Sequence, residues 1–204
     1  SAWIRQGEIA ALEIPCEPFS ASLFRAMLRR LRSYSGDAPE VFLPKVIELC
    51  RSAGVAVVFV PALPKAGVHA ATFWMGGRAV IQLNTGYRNN DQLWYALFHG
   101  AAHVLYHGRK DVFIEEKNRS VDREEEADRQ ACSLLIPLSE YTDFAATRIP
   151  TTKDIRAFAA EVGIAPGIVV GMLQRDELLP LNHRNALKVR YKEGALLPHS
   201  ETRR

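Results

Sequence analysis

Two histidines four residues apart, His99 and His103, sit inside the apolar run "LWYALFHGAAHVLYHG" at residues 93–108. On an α-helix that separation leaves side chains about 40° apart in azimuth and about 6 Å apart in rise, so both imidazoles lean toward one point. Two ligands of a zinc ion require this disposition, with a third ligand from another element and one position left open. The spacing is that of the helical zinc motif H-E-x-x-H, whose Glu is the general base. Here the second position is Gly100. Glycine has no side chain to carry a proton, and inside a helix it costs about 1 kcal/mol relative to alanine. The run keeps the metal-binding half of the motif and lacks its proton carrier.

A third ligand is available in "DREEEADRQACSLLIP", residues 122–137. Glu124 and Asp128 are four apart and share a helix face. One carboxylate can then bind a metal while the other orients a ligand histidine from behind. The plainer alternative is a solvated first turn whose acids suit the helix dipole. His107 continues the histidine series, but it stands about 80° and about 12 Å beyond His99, too far to share one ion with it. It reads as a C-terminal helix residue, or as one facing a ligand histidine or a substrate.

The elements that must position these groups follow from periodicity. "FSASLFRAMLRRLRS" aligns Leu23, Phe24, Met27, Leu28 and Leu31 on one stripe behind Ser20 as N-cap. Its other face carries Arg25, Arg29, Arg30 and Arg32, a pattern more often solvated than bound to nucleic acid. "PEVFLPKVIELCRSAG" predicts a helix stopped at Gly54, "VAVVFVP" a strand, and "HAATFW", Gly76-Gly77 and "RAVIQLN" a β-hairpin. Asn89, Asn90 and Asp91 offer N-caps to the histidine helix, which is expected to end at Gly108. A short extended "DVFI" precedes the acidic helix, which stops at Pro137. Beyond it "LSEYTDFAAT", "TTKDIRAFAAEVG", "APGIVVGMLQRDELL" and "NHRNALKVRY" read as helical, and "GALLPHSETRR" as a loose tail.

The expected fold class is α+β: a small, mostly antiparallel sheet with surrounding helices and a helical C-terminal extension. Residues 1–39 read as an N-terminal linker and helix, 40–148 as the central domain, and 149–204 as a helical module with a loose tail. A chain of 204 residues with 48% apolar and 24% charged residues has the composition of a globular protein. Its net charge of +3 is too small to mark nucleic-acid binding. Cys16, Cys50 and Cys132 follow no pattern and lie in apolar or helical contexts, as reduced thiols of a cytoplasmic protein would. No apolar stretch approaches the roughly 20 residues of a membrane span, so no membrane is expected among the partners. The chain opens on Ser-Ala rather than Met, which reads as a piece cut from a longer protein.

Several stretches, in this order, resemble the ImmA/IrrE metallopeptidase domain. "GVAVVFVPALP", "GVHAATFW" and "RAVIQLN" are similar to its leading strand and hairpin, and "DQLWYALFHGAAHVLYHG" to its H-E-x-x-H-x-x-x-H helix. "DREEEADRQACSLLIP" is similar to its acidic helix, and residues from about 40 to 140 are covered. The resemblance implies a zincin-like fold and zinc held by His99, His103 and the first Glu of the acidic helix. Ala127 and Asp128 match the family's pattern in a way that makes that residue Glu124, with Glu126 as the alternative. Gln130 stands where the family has Phe, a packing change, and Gly100 stands where it has the catalytic Glu.

In such peptidases that Glu takes a proton from the attacking water and passes it to the leaving amine. Removing a positioned acid/base costs about 10²- to 10⁴-fold in rate. Three readings stay open. The chain is a pseudoenzyme that keeps the fold, and the zinc, for sensing; or Gly100 was introduced artificially; or Glu115 or Glu116 serves as base in an active endopeptidase that cleaves a repressor.

The flanks "AWIRQGE" and "FAAEVGIAPGIVVGMLQRDELLPL" are similar to proteins that fuse this domain to an N-terminal XRE-type helix-turn-helix, among them HigA-like antitoxins and prophage regulators. That implies a role in transcription regulation, a repressor or cognate regulator (a protein or peptide) as partner, and DNA contact only through an N-terminal helix-turn-helix missing from this chain. Ala159, Gly163 and Val169 also fall at helix-turn-helix offsets. Their second helix is apolar up to Gln174 and Arg175, with no early Arg, Asn or Gln to meet base edges. It reads as a packing module, for self-association as a homodimer or for docking on the central domain.

Overall fold

The computed structural model describes residues 2–61, 69–107, 113–114, 121–146 and 149–197. Four strands form its sheet: β1 (Val55–Val60), β2 (Ala70–Met75), β3 (Arg78–Asn84) and β4 (Phe113–Ile114), in the order β1-β3-β2-β4. β1 runs parallel to β3, while β2 is antiparallel to both β3 and β4. The mostly antiparallel sheet thus carries one parallel edge. Gly76 and Gly77 join β2 to β3 with φ of 55° and 81°, the left-handed pair that a two-residue hairpin turn requires. Every residue of β1 is buried, as a strand covered on both faces must be.

Side-chain alternation sends the strands into two cores. Val55, Val57, Phe59, Ile81 and Leu83 face the larger one, with most of the helices. Ala56, Val58, Val60, Phe73 and Val80 face a smaller one, covered by α1 (Ala2–Leu12) through Trp3 and Ala11. The Trp3 indole donates to the Val60 carbonyl at 3.4 Å, and the buried Gln82 amide donates to the Trp3 carbonyl at 2.8 Å.

On the larger core lie α2 (Ala21–Leu31), α3 (Pro39–Ser52), α4 (Asn90–Tyr106), α5 (Val121–Leu135), α6 (Leu138–Ala145), α7 (Thr152–Val162) and α8 (Pro166–Arg175). Ser20 caps α2 as its sequence predicts, accepting from the Leu23 N–H at 3.3 Å. The histidine helix α4 is buried continuously from Leu93 to Val104. Its start is pinned by Asn90, which is fully buried. The Asn90 amide donates to the Ser35 carbonyl, and its oxygen accepts from the Asp91 and Val189 N–H groups, each at 3.0 Å. A helix tied at its first turn and packed along its length holds its histidines still.

The C-terminal helices bend by 111° between α7 and α8. α8 lies against α4, with Ile168, Val169, Val170, Met172 and Leu173 buried. That burial explains its apolar text and leaves those residues no face for DNA.

"NHRNALKVRY" is not the helix its periodicity predicts. Only Asn185–Leu187 forms a single 3₁₀ turn, after Arg184 in the left-handed region at φ 59°. The chain there loops around the Gln174 amide, which donates to the carbonyls of Leu181 and His183, and then pairs Arg190 with Asn89 as a bridge. Of the tail, only residues 194–197 are described; there Leu196 is buried in the main core rather than loose, and the rest lies outside the described residues. α4 stops at Tyr106, with His107 as its C-cap, and Gly108 lies outside the described residues. No single helix among the described residues is long and apolar enough to cross a membrane.

Candidate metal centre

α4 and α5 pack along one another and bring three donor groups together. The Nε2 atoms of His99 and His103 stand 3.0 Å apart. Oε2 of Glu124 is 3.1 Å from the first, and Oε1 of Glu124 is 3.7 Å from the second. Ligand atoms at tetrahedral positions on zinc, each about 2.0–2.1 Å from the ion, lie about 3.3 Å from one another. The trio therefore has the spacing of a metal's coordination shell, and among the described residues it is the group able to hold an ion. Both histidines are buried, at 5% and 2% exposure, so little water is available to solvate these facing donors.

Each imidazole is held from behind. Nδ1 of His99 lies 2.9 Å from Oδ1 of Asp128, and the Tyr95 hydroxyl donates to the same oxygen. An anionic oxygen there keeps the proton on Nδ1 and leaves the Nε2 lone pair directed at the cluster. Nδ1 of His103 lies 2.8 Å from Nδ1 of His107, and Nε2 of His107 is 3.5 Å from Glu126. Glu124 thus joins the histidine pair, Glu126 attaches to His107, and Asp128 and His107 orient one ligand histidine each. Glu115 and Glu116 lie outside the described residues.

The charge states suit a cation. Burial depresses the pKa of His103, with a hydrogen bond to the Glu124 carboxylate opposing it only in part, so the ring is neutral at neutral pH. Burial raises the Asp128 carboxyl, but hydrogen bonds from His99 and Tyr95 outweigh it and hold the group low and ionised. Burial pushes the Tyr95 phenol far above its ordinary value, keeping it a donor. Two imidazole nitrogens and a carboxylate form the donor set that zinc prefers.

Gly100 faces the sheet. A β-carbon there would stand 2.8 Å from Cγ2 of Ile81 and 3.0 Å from Oγ1 of Thr72. Both side chains are buried, so the space where an acid/base side chain would begin is filled.

Three residues of this neighbourhood did not stand out in the sequence: Tyr95, Ile81 and Thr72. Tyr95 had a signal, since it lies one turn before His99 on the stripe that continues through His103 and His107. Ile81 and Thr72 had none, because strand residues reveal their partners across a helix only in three dimensions.

A family model for the IrrE N-terminal-like domain matches residues 50–173. The match begins at the end of α3, includes the sheet, α4 and α5, and runs into α8. No curated protein matches the chain.

Proposed function

The chain belongs to the IrrE N-terminal-like family of peptidase-type domains, and from that premise we propose that it is a zinc-binding domain of a transcriptional regulator that has given up peptidase catalysis and uses its metal cleft to recognise a protein or peptide. The observation that carries this reading is the packing at Gly100. Ile81 and Thr72 crowd the point where a β-carbon on residue 100 would lie, while His99, His103 and Glu124 keep ligand spacing and their supporting partners. Here the sheet closes over the position, which supports Gly100 as a residue its neighbours have accommodated.

Zinc, when bound, supplies a Lewis acid that polarises a carbonyl oxygen. Proton transfer to a leaving amine needs a separate group, and among the described residues the groups around the cluster are engaged in other contacts. Tyr95 and Asp128 are engaged with each other and with His99, and His107 is engaged with His103. The arrangement suits binding a peptide carbonyl better than breaking its bond. The regulatory role rests on the resemblance of the flanks to helix-turn-helix fusions and on the tight packing of α8, which speaks against DNA reading by this part of the chain.

The test is metal content and hydrolysis measured on the same protein. Purified chain is expected to carry one zinc, to lose it in His103→Ala, and to leave candidate repressors and labelled casein uncut. Gly100→Glu combined with Ile81→Ala, which makes room for the new side chain, is expected to bring some hydrolysis back. Turnover by the unaltered, zinc-loaded chain that vanishes in His103→Ala would overturn the inactive reading and favour Glu115 or Glu116 as base.

A further inference from the structure

Beside the metal centre lies a cavity of about 320 Å³, walled by His69, Asn84, Tyr87, Gln92, Tyr95 and Arg175. Gln92 and Tyr95 come from the first turns of α4, and Arg175 is the last residue of α8. One residue joins the cavity to the metal cluster. Tyr95 lines the wall, and its hydroxyl donates to Asp128, which touches the ligand His99.

Among the described residues, Arg175 is the only lysine or arginine in that wall. Its guanidinium carbon stands 3.2 Å from the centroid of the Tyr95 ring. A guanidinium laid on an aromatic face keeps its N–H groups in its own plane, off the ring, where they can grip an anion two at a time. Among the described residues no carboxylate forms an ion pair with it. The neighbouring acids have closer partners: Asp91 with Lys188 at 2.7 Å, Asp176 with the Tyr141 hydroxyl at 2.6 Å, and Asp128 with His99 and Tyr95, though the Arg175 charge also acts on Asp128 from beyond ion-pair distance. An exposed cation seated on a ring, beside the exposed Gln92 amide and facing a cavity, is a half-made site for an oxyanion. A single arginine fork matches the two oxygens of a carboxylate, and the volume, at the small end for ligand sites, suits one side chain or chain end.

We propose that this cavity binds a carboxylate, and so selects an acidic side chain or a free chain end in the peptide that occupies the metal cleft. The inference rests on the reading above for the occupant's being a peptide, not for the carboxylate itself.

The test follows the Arg175 Nε–H signal in labelled protein, either zinc-loaded or treated with EDTA, during titration with small probes. N-acetyl-glutamate α-amide carries the side-chain carboxylate, N-acetyl-alanine the chain-end carboxylate, N-acetyl-glutamine α-amide neither, and inorganic phosphate is the competing anion. One of the two carboxylates is expected to bind, and the tighter of them identifies the source. The glutamine amide is expected not to bind. Arg175→Gln is expected to weaken binding tenfold or more, as loss of a charge-assisted hydrogen bond does, and Arg175→Lys to weaken it several-fold. An unchanged thermal midpoint in these exposed variants separates lost binding from lost folding. Equal binding by the glutamine amide, indifference to Arg175→Gln, or tighter binding of phosphate than of either carboxylate would overturn the proposal. Binding that survives EDTA and His103→Ala places the carboxylate in the cavity rather than on the metal. If zinc binds and no carboxylate does, this inference falls alone; if the carboxylate binds and zinc does not, only the metal reading falls.

Discussion

Cγ2 of Ile81 stands 2.8 Å from the point where a β-carbon on Gly100 would lie, so the central helix and the third strand meet through a glycine. Two effects oppose each other at that contact. Alanine would gain about 1 kcal/mol of helix propensity over glycine, while overpacking a buried site costs about 1–3 kcal/mol. The β-branched Ile81 cannot swing aside cheaply, so the cost is expected to win. Gly100→Ala should lower stability by about 1 kcal/mol in urea unfolding. In Ile81→Ala, which opens a cavity, the same Gly100→Ala change should become neutral or stabilising. A double-mutant cycle without favourable coupling between the two positions would remove this account of why glycine is held there.

Asp128 and Tyr95 act on the metal through His99. Removing an outer partner of a ligand histidine typically costs 10- to 100-fold in metal affinity. Asp128→Asn replaces the anion that holds the proton on Nδ1, and Tyr95→Phe removes one donor to it. Both are expected to bind zinc more weakly than the unaltered chain, with the Asp128 variant the weaker of the two. A competition titration against a chromogenic chelator reads the difference, and equal affinities across all three proteins would show that the contacts are only structural.

Metal removal should be visible as lost stability, because the ligands converge only in the folded chain. A ligand at about 100 times its dissociation constant adds about 2.7 kcal/mol, and in a protein of this size 1 kcal/mol moves the unfolding midpoint by about 2–4 °C. EDTA is therefore expected to lower the midpoint by roughly 5–10 °C, reversibly on adding zinc. His103→Ala should show no EDTA response at all.

How much of this was legible in the sequence depended on whether an element announced itself alone. The hairpin was readable because Gly76-Gly77 sits between two β-rich runs, and α4 because its histidines share a stripe. α1 gave little sign, since its contact with the sheet uses Trp3, Gly7 and Ala11, and two of those are too small to look like core. Gly7 is there because Gln82 crosses it, leaving no room for a β-carbon. "NHRNALKVRY" failed for a related reason. Its helical spacing was overridden by a distant group, the Gln174 amide, around which the chain loops. The ligand trio could be proposed from spacing and resemblance, but the division of labour between Glu124 and Glu126 needed the packing of α5 on α4.

The pH response gives a separate handle on the histidine pair. Burial holds the pKa of folded His103 below its ordinary 6.5. As pH falls through that ordinary value the unfolded chain takes up its proton first. The unfolded state then binds more protons than the folded one, and stability falls as pH falls. Above about pH 7 both states are neutral at this site and the term is flat. The metal-free protein should therefore lose stability below pH 6.5, by at most about 1.4 kcal/mol per unit for this one group. Asp128, held low by its hydrogen bonds, adds a loss only near and below its ordinary 3.8 and leaves the first window clear. With zinc present the slope should steepen, because protons and metal then compete for the same Nε2 atoms of His99 and His103. Urea midpoints across about pH 5 to 8, with and without zinc, measure both slopes. In His103→Ala the metal-free slope should shrink and the zinc-dependent part vanish, whereas an unchanged slope would assign the titration to another group.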